Sequence, residues 1–275
     1  MSDNLALRFN TVIKENEVED LDTKWTVQKV KDYLFNSECS AEIIEEFRQD
    51  HRKGVQKLLV QYDRKQAQIA KAIRHFEHMS SYEKKHWEKG KLHIVGIDEV
   101  GRGGPLAGPV VAAAVILPKE FQLIGIDDSK KLSKEKREEF YEHIIEQSLD
   151  YNIGIIEPSE IDQINIFQAT KKAMRLALNG LSKDIEHILI DAMQLEGLAY
   201  PSDSIIKGDQ KSISIAAASI VAKVTRDRLM EELHLSHPHY DFHKNSGYGT
   251  RAHIEAIKKY GLTKHHRRSF LKSLT

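Results

Sequence analysis

The sequence predicts an α/β domain with a mixed sheet, preceded by a helical N-terminal extension. Before residue 91, apolar residues recur at helical spacing and strand-like runs are almost absent. After residue 91, short apolar runs typical of buried strands alternate with helix-forming segments, which is the pattern of an α/β fold. We therefore expect an extension over residues 1–91 and a main domain over residues 92–275 that ends in a basic tail.

The extension is expected to contain two helical segments. Residues 26–35 carry apolar side chains at helical spacing, and residues 40–78 continue as helix-forming sequence, with Ser40 as a suitable N-cap. Gly54 is expected to bend or divide the second segment. The polar positions are rich in lysine, arginine and glutamate, so a helical hairpin packed on the main domain, a mobile arm and a grip on nucleic acid all remain open.

Five strands and three helices are expected in the main domain. A short loop separates the first two strands, which favours an antiparallel hairpin. Ser133 caps the first helix, and the pairs Ser159–Asp162 and Asn165–Gln168 are capping-box candidates in the second. The third helix, SIAAASIVAKVTRDRLMEEL, is alanine-rich on its packing face. The strands are LHIVGID (92–98), PVVAAAVIL (109–117), YNIGIIE (151–157), HILIDA (187–192) and SIIKGD (204–209).

Composition excludes several classes of protein. The single cysteine, Cys39, cannot form an internal disulfide or a cysteine zinc site, which fits a reducing compartment. No apolar run approaches the ~18–20 residues that span a bilayer, and residues 1–20 lack the pattern of a signal peptide. We expect a soluble cytoplasmic protein with no membrane partner.

The formal net charge is zero, but 13 Lys and Arg oppose 6 Asp and Glu from Lys207 onward, which suits either nucleic acid or a solvated tail.

Acidic residues close three of the expected strands. Asp98 ends the first strand, Asp191 ends the fourth, and Asp209 closes the fifth. Functional groups gather where the carboxyl ends of parallel strands meet, so Asp98 and Asp191 lie side by side if their strands are parallel neighbours. Clustered carboxylates need a compensating charge, and oxygen ligands suit Mg²⁺ or Mn²⁺. The alternative is that each acid is an ordinary turn or cap residue.

A glycine-rich loop follows the first acids directly. Successive strand residues face opposite sides, so Glu99 shares a metal with Asp98 only if the strand breaks there, as Val100-Gly101 allows. The loop does not continue as a dinucleotide-binding pattern or a P-loop, but Arg102 is suited to meet phosphate. Ser129 and Lys130 are suited either to hold a substrate phosphate or to form a solvated helix-entry loop.

Ordered motifs over residues 92–270 resemble the ribonuclease H family, and specifically ribonuclease HII. They are D-E-V-G-R-G at the first strand end, D-S-K-K-L (128–132), I-D-A at the fourth strand end, K-G-D before S-I-A-A-A-S-I-V-A-K-V-T-R-D, G-Y-G-T (247–250) and H-R-R-S-F (266–270). Arg102 and Asp209 favour this family over its sister, ribonuclease HIII, whose opening lacks the arginine and whose fourth carboxylate is a glutamate.

The resemblance implies a ribonuclease H-like mixed five-stranded sheet flanked by helices. It implies an endonuclease that hydrolyses the RNA strand of RNA–DNA hybrids and nicks duplex DNA 5′ of single embedded ribonucleotides, leaving a 3′-hydroxyl and a 5′-phosphate. Two Mg²⁺ or Mn²⁺ ions are implied, one activating the attacking water and one stabilising the departing 3′-oxygen. We expect a monomer that removes ribonucleotides during DNA repair and replication. A hybrid-binding module without catalysis is the alternative, and the intact set of acids disfavours it.

The resemblance also assigns roles to residues. Backbone groups of Gly101, Arg102 and Gly103 are expected to contact the ribonucleotide 2′-hydroxyl. The ring of Tyr248 is expected to pack against the next deoxyribose, where an extra 2′-hydroxyl would clash. The implied catalytic and metal-binding residues are Asp98, Glu99, Asp191 and Asp209.

The basic and histidine residues of the C-terminal third carry less information. Lys223 and Arg226 share one helical face and are suited to contact phosphate or to solvate the surface. Arg267 and Arg268 are expected in a basic tail near the DNA. A zinc site has little support because cysteines and a helical histidine pair are lacking, although four histidines lie in this region: His237, His239, His243 and His253.

Overall fold

Residues 25–271 are described by the computed structural model, and the chain divides between Lys71 and Ala72 into two compact units. The prediction about a signal peptide concerns residues 1–20, which lie outside the described residues. Within residues 25–271, none of the helices combines the length and the apolar character needed to cross a membrane. The domain boundary expected at residue 91 stays a prediction.

The first unit is helical, as the sequence predicts. It contains α1 (Val27–Asn36), α2 (Ala41–Arg48) and the N-terminal part of α3 (Lys53–Met79). The hydroxyl of Ser40 accepts the Ile43 N–H, which confirms the predicted N-cap of α2. Its apolar core is formed by Val30, Leu34, Phe47, Val55 and Leu59.

The break in the predicted 40–78 segment lies at residues 49–52, just before Gly54. The Asp50 carboxylate accepts the backbone N–H of Arg52 at 2.9 Å, which turns the chain before α3 begins. Gly54 lies inside the first turn of α3, where a Cβ would come within 3.2 Å of Val27. The division therefore depends on the Asp50 side chain more than on glycine flexibility.

The second unit contains the five strands and the remaining helices. Its strands are β1 (Ile94–Val100), β2 (Val110–Ile116), β3 (Asp150–Ile156), β4 (His187–Asp191) and β5 (Ser202–Ile205). Its helices are α4 (Ser81–Trp87), α5 (Lys134–Gln147), α6 (Pro158–Asn179), α7 (Ile213–Ser236), α8 (Phe242–Asn245) and α9 (Arg251–Tyr260).

The strands form one mixed sheet in the order β3-β2-β1-β4-β5. β1 pairs with β2 as the predicted antiparallel hairpin, and β1, β4 and β5 run parallel to one another. Apolar side chains cover both faces, with α7 and α5 packed on one side and α6 on the other. The mixed five-stranded sheet flanked by helices is therefore confirmed.

Two local predictions were wrong. The fifth strand was expected at residues 204–209, but β5 spans Ser202–Ile205. The polar residues 202–204 pair with β4, and the strand ends at Ile205. The chain then turns at Lys207 (φ 57°), and Asp209 lies in a short 3₁₀ turn. The Asp162 carboxylate does not cap α6 but accepts the backbone N–H groups of residues 268–269. Asn165 does cap the helical turns that follow it, and its φ of 66° kinks α6.

In the second unit, α7 packs closely against β1. A Cβ on Gly96 would lie only 2.0 Å from the backbone carbon of Ser214. The buried Glu83 carboxylate accepts the Ser212 hydroxyl at 2.5 Å and the Ser214 N–H at 3.0 Å, which holds the start of α7 in place. Buried alanines line the rest of the contact, as predicted from the sequence: Ala216, Ala217, Ala218 and Ala222.

Gly96→Ala is expected to destabilise the protein by about 3 kcal/mol or more, because a methyl group there overlaps the α7 backbone. The measurement is the urea unfolding midpoint of the full chain. Gly103→Ala is the matched control, since its Cβ meets nothing within 4 Å, and a change within about 0.5 kcal/mol is expected. Equal midpoints for Gly96→Ala and the native chain would contradict this account of the packing.

Candidate active site

Asp98 and Glu99 lie near the end of β1 and point to opposite faces of the sheet. Ile94 belongs to the apolar cluster under α7 and Val95 to the cluster under α6, so the alternation places Asp98 towards α7 and Glu99 towards α6. Asp98 is 5% exposed, and its Oδ1 atom accepts the Glu99 N–H at 2.7 Å. The strand continues to Val100 and ends there, which is the later of the two breaks that the sequence allows.

Asp191 joins Asp98 on the α7 face, because β4 is parallel to β1 and their residues are in register. Asp191 ends β4, and its Oδ1 atom accepts the Gly208 N–H at 2.6 Å. That bond draws the 3₁₀ turn over Gly208–Gln210 against the strand end and brings Asp209 into the same pocket. The predicted grouping of these three aspartates is reproduced, although Asp209 comes from a turn.

A fifth acid, Asp128, lies beside Asp209 and was not predicted as a site residue. It is 6% exposed, and its carboxylate accepts the Lys130 N–H at 2.9 Å and the side-chain amide of Gln210 at 3.4 Å. Its position in the acidic D-D-S-K-K run was visible in the sequence, but nothing there indicated that the 3₁₀ turn at Ser129–Lys131 folds towards Asp209.

Burial and mutual repulsion raise the pKa values of the acids. Burial, then Glu99 and Asp191, hold the pKa of Asp98 well above its usual range. Burial, then Asp128 and Asp191, raise the pKa of Asp209 to about 6. Burial also raises the pKa of Asp191, opposed by the hydrogen bond from Gly208. The pocket therefore disfavours a full set of uncompensated carboxylates.

Two cations reduce this repulsion. Burial lowers the pKa of Lys130, but the surrounding aspartates outweigh burial and the net pKa is raised. Burial raises the pKa of Glu99, and Arg102, whose Nη1 atom lies 3.6 Å from Glu99 Oε1, opposes that rise. Lys130 is thus the ammonium group that interacts with all four aspartates, and Arg102 is the partner of Glu99.

The four predicted carboxylates share one electrostatic pocket without forming a compact ligand set. Among residues 25–271, the groups of three or more candidate ligands whose atoms all lie within 4.8 Å of one another are His86, His187 and Asp203, and His234, Asp241 and His243. The acids offer oxygen ligands alone, which is the chemistry that Mg²⁺ and Mn²⁺ prefer. Their raised pKa values indicate that the charged carboxylates are unfavourable unless cations compensate them.

The predicted hydroxyl Ser129 faces the interior. Ser129 is 3% exposed, and its Oγ atom lies 2.9 Å from Oγ of Ser219 on α7. Ser219 also hydrogen-bonds Asp98, so a short chain of side chains links the D-S-K-K segment to the first acid. Sequence reasoning missed Ser219, because one serine among small helix residues carries no signal of its own.

The loop after β1 requires glycine at some positions only. Gly101 has φ 89°, and a Cβ there would lie 2.6 Å from the Pro109 carbonyl oxygen. Gly103 has open space around it. The Arg102 guanidinium lies 5.9 Å from the ring centre of Phe167 on α6 and remains accessible to solvent. Gly104, with φ 88°, would place a Cβ 3.8 Å from Cε1 of Tyr248.

Tyr248 therefore lies beside the loop that follows the acids, and its side chain is 48% exposed. The Gly247 carbonyl accepts the Leu106 N–H at 2.7 Å, which ties the two segments together. His253 Nδ1 lies 2.8 Å from the Tyr248 carbonyl oxygen, so this histidine supports the turn. The tertiary structure thus places Tyr248 next to Gly104, the residue that follows the predicted loop residues 101–103.

Two arginines expected at the surface are buried. Arg226 is 1% exposed and donates to the carbonyls of Pro109, Ala107 and Ser246 at 2.9–3.2 Å. Arg267 is 0% exposed and donates to the Gly108 and Pro109 carbonyls. Neither solvates a surface or a tail, because the loop before β2 leaves its carbonyl groups without strand partners and the guanidinium groups satisfy them.

The chain is similar to known proteins over most of its length. A family model described as ribonuclease HII matches residues 95–273, and one described as the ribonuclease HII N-terminal domain matches residues 26–87. Ribonuclease HII of Enterococcus faecalis is 51% identical over 90% of this chain and 96% of its own length. Ribonuclease HII of Oceanobacillus iheyensis is 50% identical over 89% of this chain and 94% of its own length.

Solved structures show the same fold. The ribonuclease H2 of Pyrococcus horikoshii matches with a TM-score of 0.57 and 28% identity, over 66% of this chain and 96% of that one. The ribonuclease HII of Archaeoglobus fulgidus, solved as a complex with PCNA, matches with a TM-score of 0.52 and 28% identity, over 64% of this chain and 94% of that one.

The sheet, the flanking helices and the acidic pocket define a nuclease of the ribonuclease H class. Such enzymes depend on divalent metal ions and cleave the RNA strand of RNA–DNA hybrids. The chain belongs to the ribonuclease HII family, on the match of its family model and on about 50% identity across most of its length. It is an endoribonuclease, and therefore a hydrolase.

Asp209→Asn is expected to stabilise the metal-free protein at pH 8 by roughly 1–2 kcal/mol. The folded pKa of Asp209 is about 6, above an unfolded value of about 4. Between about pH 4 and pH 6 the folded state therefore keeps a proton on Asp209 that the unfolded state has released. The free energy of unfolding falls as pH rises through this range. Urea unfolding with a chelator at pH 8 and at pH 4 measures the change, which should be small at pH 4.

Asp150→Asn is the matched control, with the opposite sign. Burial raises the pKa of Asp150, but hydrogen bonds from Lys183 and Ser182 outweigh it and the net pKa is lowered. Its charge therefore stabilises the folded state above the unfolded pKa, and removing it should destabilise the protein at pH 8. If Asp209→Asn instead lowers the free energy of unfolding at pH 8, the charged Asp209 carboxylate does not destabilise the folded protein.

Proposed function

We propose that this endoribonuclease nicks duplex DNA 5′ of a single embedded ribonucleotide and also cuts longer RNA–DNA hybrids, leaving a 3′-hydroxyl and a 5′-phosphate. The observation that carries the proposal is the adjacency of Tyr248 to the loop over residues 101–104, directly after the acids of β1. A group that contacts a sugar and the groups that cut the backbone thus belong to one continuous surface.

Asp98, Glu99, Asp191 and Asp209 are the proposed metal ligands. The support is an oxygen-only donor set with raised pKa values, which fits hard divalent cations such as Mg²⁺ or Mn²⁺. When bound, two such ions supply an activated water and stabilise the departing 3′-oxygen. Asp128 supports the turn that presents Lys130, and its hydrogen bond with Asp209 orients that carboxylate.

The loop over residues 101–103 is proposed to recognise the ribonucleotide. Gly101 turns the backbone sharply, and the absence of a side chain at Gly103 lets the sugar approach the peptide groups closely. The 2′-hydroxyl both donates and accepts hydrogen bonds, so peptide groups are suited to read it. Arg102, solvent-accessible and held by Glu99 and Phe167, is placed to meet the adjoining phosphate.

Tyr248 is proposed to test the following nucleotide. Its half-exposed ring is suited to pack on a deoxyribose, and hydrogen bonds on both sides of the residue fix the turn that carries it. Lys130 is proposed to face the scissile phosphate from within the acidic pocket. Ser129 orients this segment through Ser219. Action as a monomer, a cytoplasmic location and a role in DNA repair and replication stay predictions.

The function is tested with a duplex that carries one ribonucleotide, incubated with the full chain and Mg²⁺ or Mn²⁺. A nick at the DNA–RNA junction is expected, and Asp98→Asn should lower its rate at least about 10²–10³-fold, because a preorganised charge is lost from the reaction centre. Circular dichroism checks that the variant is folded. The absence of a junction nick from the native protein would refute the proposed specificity, and full activity of Asp98→Asn would remove this residue from the mechanism.

Tyr248→Ala is expected to slow nicking at a single ribonucleotide more than cleavage of a long hybrid. The long hybrid offers many cutting positions that do not need a deoxyribose on the 3′ side, so it depends less on the ring. The ratio of the two kcat/KM values is the readout. Tyr248→Phe keeps the ring and serves as the control, with a ratio near that of the native enzyme. Equal losses on both substrates would argue against a role in sensing the junction.

A further inference from the structure

A second cluster of ligand atoms lies at the end of β4 remote from the acids. His187 is the first residue of β4 and Asp191 is the last, which separates them by four residue steps, or about 13 Å along the strand. His187 lies beside His86 of α4 and Asp203 of β5, so three elements of the second unit contribute to the cluster. None of the three has a part in the cleavage chemistry described above.

The two imidazole rings converge on one carboxylate. Nε2 of His187 lies 3.0 Å and Nε2 of His86 lies 3.6 Å from Oδ2 of Asp203. The ring centres are 3.8 Å apart, and the ring planes are inclined by 30°. Both histidines are 6% exposed, whereas the Asp203 side chain is 51% exposed. The nitrogen atoms are thus held by the interior, and the open side of the cluster faces solvent.

The two nitrogen–oxygen separations are close to those of ligands around one small metal ion, and all three ligand atoms lie within 4.8 Å of one another. Zinc bonds of about 2.0–2.1 Å at tetrahedral angles place ligand atoms about 3.3–3.4 Å apart, and the two observed separations, 3.0 and 3.6 Å, lie on either side of that value. Two imidazoles with one carboxylate are a donor set that zinc and its neighbours in the first transition series accept. The exposed side of the cluster leaves room for water to complete such a coordination.

The charge state of the cluster suits a cation in one respect and opposes it in another. Burial, then the neighbouring His187, lower the pKa of His86, so its ring is neutral and has a lone pair free at neutral pH. Lys91 opposes a cation, because its Nζ atom lies 3.5 Å from Nδ1 of His187. A ring that binds metal through Nε2 carries its proton on Nδ1, so Lys91 has to release that contact and keep its bond to the Glu186 carbonyl, at 3.3 Å.

We propose that His86, His187 and Asp203 bind a borderline divalent transition-metal ion, with Zn²⁺ as its representative. The ion joins α4 and the edge strand β5 to β4. It stabilises the folded chain because the three ligands come together only on folding. The oxygen-only acidic pocket prefers harder cations, so the two sites differ in metal class.

The test is equilibrium dialysis of the full chain, freed of metal with a chelator, against Zn²⁺ in a large excess of Mg²⁺ that occupies the acidic pocket. The metal bound is measured by elemental analysis, and the melting temperature is recorded with and without Zn²⁺. The native chain is expected to bind one equivalent of Zn²⁺ that the double variant His86→Ala/His187→Ala does not bind. Its melting temperature should rise with Zn²⁺, and that of the double variant should not.

The matched control is His234→Ala/His243→Ala, which removes two histidines of the other His–Asp–His group. The centres of those two rings are also 3.8 Å apart, with planes inclined by 36°. This control should keep the equivalent of Zn²⁺ that depends on His86 and His187. If the native chain binds no Zn²⁺, or if His86→Ala/His187→Ala binds as much as the native chain, the proposal is overturned.

Two single variants keep the test meaningful if loss of both buried rings prevents folding. Asp203→Asn alters a half-exposed side chain and should weaken Zn²⁺ binding at least about 10-fold, because changes even outside the ligand shell cost 10–100-fold. Lys91→Met removes the competing ammonium group and should strengthen Zn²⁺ binding. Unchanged affinity in both variants would mean that the cluster is only a hydrogen-bonded network, and would overturn the proposal.

Discussion

The crowding of buried carboxylates is the constraint on which the rest of this structure depends. Asp98, Asp191, Asp209 and Asp128 share a pocket in which burial and like charge disfavour the ionised forms. Lys130 is the ammonium group placed among them, and it compensates only part of the repulsion. Asp98 stands on β1, where Gly96 lets the α7 backbone approach so closely that a Cβ would lie 2.0 Å from Ser214.

The interior packing also joins the proposed metal ligands to the residues proposed to recognise the sugar. Arg226 extends from α7 and donates to the Ala107 and Pro109 carbonyls before β2 and to the Ser246 carbonyl near Tyr248. Arg267 holds the neighbouring carbonyls of Gly108 and Pro109. These two buried guanidinium groups fix the loop beside Tyr248, so the distance between the acids and the ring is set by interior hydrogen bonds.

The strand β4 connects two sites of different chemistry. Its carboxyl end provides Asp191 to a pocket of oxygen ligands, whereas its amino end provides His187 to a pair of buried imidazoles. Hard cations prefer the first donor set and borderline transition metals prefer the second.

The sequence by itself determined the class of fold, the helical extension, the antiparallel hairpin and the acids with their glycine-rich loop. These features follow from local periodicity, turn chemistry and ordered motifs, which a linear chain displays directly. Only the tertiary structure decided the end of β5 at Ile205, the arrival of Asp128 in the pocket, and the burial of Arg226 and Arg267. These outcomes depend on strand register and on which distant backbone groups lack hydrogen-bond partners after folding. Neither property can be read from residue spacing along the chain.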